Sequence, residues 1–123
     1  MTLAQIHSFS NMMSEMLTER LTVFKGKTAN RQTMMELYTT IFNLTADIFI
    51  QSKVELSNEA VNLIAQLYYE DCSINNRNEV DNTVYTKKAK LENIPNHELV
   101  IMTKLWKDHP YGQLFVETLK RRS

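Results

Sequence analysis

Residues 31–52 read RQTMMELYTTIFNLTADIFIQS, and the rest of the architecture is arranged around them. Its apolar residues are Met34, Met35, Leu37, Tyr38, Ile41, Phe42, Leu44, Ile48, Phe49 and Ile50. They recur at helical spacing but cover most of the circumference, so the helix needs neighbours on several sides. The expectation is a central helix in an all-α domain. Thr28 or Asn30 can cap it. Its far end is ambiguous, because DIFIQSKVEL alternates well enough for residues 48–56 to be extended instead.

Upstream, residues 2–24 place Leu3, Ile6, Phe9, Met13, Met16, Leu17, Leu21 and Phe24 at helical spacing, with Glu15, Glu19 and Arg20 between them. This predicts an amphipathic helix of about six turns. Gly26 follows where a left-handed residue ends many helices. Downstream, Ser57 or Asn58 opens a third helix through Val61, Ile64, Ala65, Leu67, Tyr68 and Tyr69. Residues 73–82, SINNRNEVDN, hold four Asn and form the best loop candidate. Residues 83–92 (TVYTKKAKLE) are ambiguous: Val84, Lys88 and Leu91 could make a short helix, while TVYT could be a brief strand. Pro95 and Asn96 start a helix through Leu99, Met102, Leu105 and Trp106. Pro110 suits the first turn of a last helix capped by Asp108 or His109, with Tyr111, Leu114, Phe115 and Leu119 facing inward. The sum is a compact bundle of five or six helices with one polar, Asn-rich loop.

Composition narrows the function classes. A length of 123 residues fits one domain, and 43% hydrophobic with 23% charged residues is an ordinary globular balance. Two glycines cannot supply glycine-lined phosphate loops or a Rossmann-type site, and one cysteine forbids an internal disulfide. No secretory leader is visible, and the longest apolar-leaning stretch is interrupted by Asn43 and Asp47. A cytoplasmic protein without membrane contact is expected. The Asn-rich, Gly-poor composition is of a kind met in small bacterial or mobile-element proteins.

Motifs that suggest chemistry fail on their geometry. Gly26-Lys27-Thr28 ends like a phosphate-binding loop, but Leu21 stands where the earlier glycine belongs and a helix precedes it. His97-Glu98 begins like a zinc-protease helix, but position 101 is Ile101. His7, His97 and His109 are scattered. Cys72 has no local base and reads as a structural thiol at a helix end. Glu70 and Asp71 are adjacent, so they point about 100° apart on a helix. No catalytic residue, metal or cofactor is expected.

Two features point to binding instead. Phe9, Met13, Met16 and Leu17 form one stripe on a long helix, rich in the flexible methionine that fills cores and lines partner surfaces. That stripe suits a symmetry mate, so a homodimer with an interface at these residues is expected. Charge is also uneven: residues 1–81 carry six basic and ten acidic side chains, and residues 82–123 carry eight and four. Lys87, Lys88, Lys90, Lys120, Arg121 and Arg122 supply most of the basic excess. They would contact nucleic acid if they converge, or simply end a helix favourably if they do not. Trp106 between Lys104 and Lys107 could join such a surface, but its helical spacing from Leu99 and Met102 places it in the core. The favoured reading is a non-enzymatic helical interaction protein, a regulator, adaptor or inhibitor that binds a partner protein. The alternative is a nucleic-acid-binding transcriptional or replication regulator using the basic C-terminal third.

Overall fold

The computed structural model describes residues 3–28, 30–72 and 82–123. They form α1 (Leu3–Leu21), α2 (Arg31–Gln51), α3 (Asn58–Asp71), α4 (Asn96–Leu105) and α5 (Pro110–Arg122), with no strand among the described residues. The all-α bundle read from the pattern is what the chain adopts. The Asn-rich segment falls outside the described residues, apart from Asn82.

Local chemistry sets the helix boundaries. α1 tightens into a 3-10 turn at Thr22–Phe24, and Gly26 follows at φ 83°, a conformation costly for any residue with a Cβ. Asn30 caps α2 by accepting the Thr33 N–H at 2.9 Å. α2 remains helical to Gln51, so the extended alternative for residues 48–51 is corrected. The helix then closes with a bond from the Val54 N–H to the Phe49 carbonyl at 2.9 Å, around Lys53 at φ 56°. This is a six-to-one helix ending with a lysine where glycine is usual. Ser57 caps α3 through the Ala60 N–H, and His109 caps α5 with Pro110 behind it.

α2 packs against α1 and α3, α4 pairs with α5, and α1 also reaches α4. α2 is thus central, although Met35 and Ile50 remain exposed. Two aromatic groups fill the interior. Phe9, Phe49, Trp106 and Phe115 meet with ring centroids 5.1–6.3 Å apart. Tyr38, Tyr69 and Tyr85 form the second group at 5.1–6.0 Å. Buried Thr45 and Thr118 satisfy their hydroxyls on carbonyls one turn earlier.

Residues 83–92 make neither a continuous helix nor a strand. Short 3-10 turns at Asn82–Val84 and Leu91–Asn93 flank an irregular run. That run is held from outside: the buried Gln66 amide donates to the Lys87 carbonyl at 2.8 Å and accepts the Ala89 N–H at 2.9 Å. A side chain therefore supplies the pairing a neighbouring strand would have given.

Candidate functional site

Helix α1 has two working faces. Phe9, Met13 and Leu17 lie on the inner one at 0%, 2% and 7% exposure, and Met16 packs partly buried beside them. The placement of this stripe at a subunit interface is therefore corrected. Helical periodicity identified a face that must be covered, but the chain's own α2 and α4 cover it.

The other face carries His7, Asn11, Ser14, Thr18 and Thr22, all exposed. Spacings of four, three, four and four residues keep these side chains on one line. They form one wall of a cleft of about 980 Å³. The opposite wall is the end of α3, with Tyr68, Asp71 and Cys72, and the α4–α5 turn from Lys104 to His109. The buried side chains Phe9, Met13, Leu17, Leu105 and Trp106 close the bottom. Lys25 stands at one end.

The second wall is rigid for identifiable reasons. The Trp106 indole N–H donates to the Tyr68 hydroxyl at 2.8 Å, and the Tyr111 hydroxyl donates to Asp71. Tyr68, His109 and Tyr111 stack against one another at 4.3–6.0 Å. Burial pushes the Tyr68 phenol above its ordinary range. Burial and the Asp71 carboxylate together also push Tyr111 up, so both hydroxyls stay protonated. Burial also pulls His109 below the usual imidazole range, against a smaller opposing pull from Asp71. That suits its role, since Nδ1 accepts the Tyr111 N–H at 3.2 Å and must keep a free lone pair.

Gly112 fixes the turn's height. A Cβ there would stand 2.0 Å from the Trp106 carbonyl oxygen, so only glycine lets α5 pass this close to the end of α4.

The basic residues divide into two behaviours. Lys87, Lys88, Lys90, Lys120 and Arg121 are exposed. The Arg122 guanidinium instead binds the carbonyls of Leu91, Glu92 and Ile94 and the Asn96 side chain at 2.6–3.1 Å. It fastens the end of α5 to the turn that follows Lys90, and so brings the two basic segments to one end of the molecule. Among the described residues, Arg121 reaches only Thr118, at 3.4 Å.

Among the described residues, no group of three His, Cys, Asp or Glu side chains converges as a metal site would require. No helix among them is long and apolar enough to cross a membrane. No family model matches the chain, and no curated protein or solved structure is similar to it.

The polar wall was missed in the sequence because its residues look like ordinary solvent-facing side chains. The available signal was the absence of charge from one complete exposed line of α1, while Glu15 and Glu19 occupy other angles.

Proposed function

We propose that this chain is a non-enzymatic interaction protein that holds a segment of a partner protein in the cleft between α1 and the α4–α5 turn. The observation that carries this reading is the cleft itself. Its α1 wall runs about 21 Å from His7 to Leu21 at the helical rise, longer than a compact small-molecule site needs. One wall is a line of hydrogen-bonding groups, and the other is held by part-buried hydrogen bonds. Such preorganisation lowers the ordering cost of binding.

Affinity recovery from native extract, with and without nuclease, tests the reading when wild type is compared with Thr18→Trp, which fills the cleft from an exposed position. Recovery of a discrete protein that Thr18→Trp abolishes supports it. Equal recovery by both overturns it. Sedimentation velocity on the same samples reads self-association.

A second reading is a nucleic-acid contact at the opposite chemical extreme of the surface. It draws support from Arg122, which seats Lys120 and Arg121 beside the segment after Lys90. Duplex binding with log affinity falling by about 0.9 per phosphate contact against log salt, and lost in Lys87→Glu/Lys88→Glu, would favour it. Recovery that nuclease abolishes points the same way.

A further inference from the structure

Resting on the cleft reading above, we infer that the segment the cleft receives is acidic, rich in Asp or Glu and lying along α1. Three cations stand around the cleft, Lys25, Lys104 and Lys107, and all three are exposed. Among the described residues, none of them has a carboxylate within ion-pair distance. The carboxylates nearest in the lining are Asp71 and Asp108. Asp71 accepts the Tyr111 hydroxyl and keeps its charge, so the lining sets three ammonium groups against two carboxylates, an excess of one positive charge.

The opposite wall adds donors without adding charge. Asn11, Ser14 and Thr18 offer amide and hydroxyl hydrogens on one line, while Thr22 gives its hydroxyl hydrogen to the Glu19 carbonyl at 2.6 Å. A carboxylate-bearing chain laid against them would have ammonium groups on one side and neutral donors on the other. The apolar bottom is already shielded by its own neighbours, with Phe9 and Trp106 at 0% and 4% exposure. The rest of the accessible lining is nonetheless more apolar than polar, so apolar burial adds to affinity while the charges select the sign of the segment. Such binding weakens as salt screens it. A basic segment would meet more like charges than opposite ones.

A displayed library of random 16-residue peptides, selected against the intact protein, tests this. The expected result is enrichment of net-negative peptides. Their binding is lost in Thr18→Trp and weakened about tenfold or more in Lys104→Glu/Lys107→Glu, with a similar loss between 50 and 300 mM salt. Enrichment of neutral or basic peptides that Thr18→Trp still abolishes overturns the acidic assignment and leaves the cleft reading standing. Enriched peptides indifferent to Thr18→Trp, or no enrichment at all, overturn both. Circular dichroism of each variant confirms that the helical fold is retained.

Discussion

Glu98, on the first turn of α4, accepts the backbone N–H of Ser57 at 2.6 Å and so caps a helix other than its own. A capping box normally pairs the cap residue with a glutamate three positions later. Here that position is Ala60, which donates its N–H to the Ser57 hydroxyl, and the glutamate arrives from α4. The box is completed across the tertiary structure, and Glu98 is buried to do it. Glu98→Ala should cost about 0.5–2 kcal/mol by removing the acceptor of the Ser57 N–H at the start of α3. Glu98→Gln keeps an acceptor and should cost less. Urea midpoints measure both, and an unchanged midpoint for Glu98→Ala removes the capping role.

Lys53 offers the opposite sign. It occupies a left-handed position at φ 56° that glycine adopts without strain. Lys53→Gly should therefore stabilise the fold by about 1 kcal/mol. Gly26→Ala, at φ 83° with open space around its Cβ, should destabilise it by about the same amount. Thermal melts of the two variants should bracket the wild type.

Gly112→Ala should be far more damaging than Gly26→Ala, because the obstacle is backbone and cannot rotate away. A loss of about 3 kcal/mol or more is expected, with displacement of the α4–α5 turn. Trp106 emission should shift to the red even below the melting transition. A Gly112→Ala protein with native stability would show that the turn relaxes freely.

Acid should weaken the fold through His109. Its imidazole is neutral when it caps α5, and burial holds its pKa below the ordinary value of about 6.5. The unfolded chain therefore takes up a proton first as pH falls. The stabilisation is complete above the unfolded value and is lost as pH drops towards and through the folded value. Urea midpoints between pH 7.5 and 5 should decline in wild type. His109→Asn, which caps without titrating, should flatten that part of the decline. Equal slopes in the two proteins would assign the decline to other groups.

Much of the fold was legible because its signals are local. Asn30, Ser57, Gly26 and Pro110 each act on backbone groups within a turn or so of themselves, and each does what its type suggests. Residues 83–92 were illegible because their partner is Gln66, more than a full helix away in sequence. The stripe at Phe9, Met13 and Leu17 was half legible: apolar spacing says that a face is covered, but not by which chain. The cleft wall gave least notice, since Asn11, Ser14 and Thr18 gain meaning only from Lys104 and Lys107 across the gap. Trp106 was placed correctly in the core, and its Tyr68 partner could not have been named from spacing.

The Gln66 amide also makes a kinetic connection. Because it both gives and takes a bond with the 87–89 backbone, that irregular run can loosen only when α3 gives up a buried polar group. The Ala89 amide should then exchange its hydrogen with solvent as slowly as amides inside α3, in step with their shared opening, and not at the rate of a surface loop. A stretch without regular secondary structure would belong, by its exchange behaviour, to the same cooperative unit as the helix beneath it.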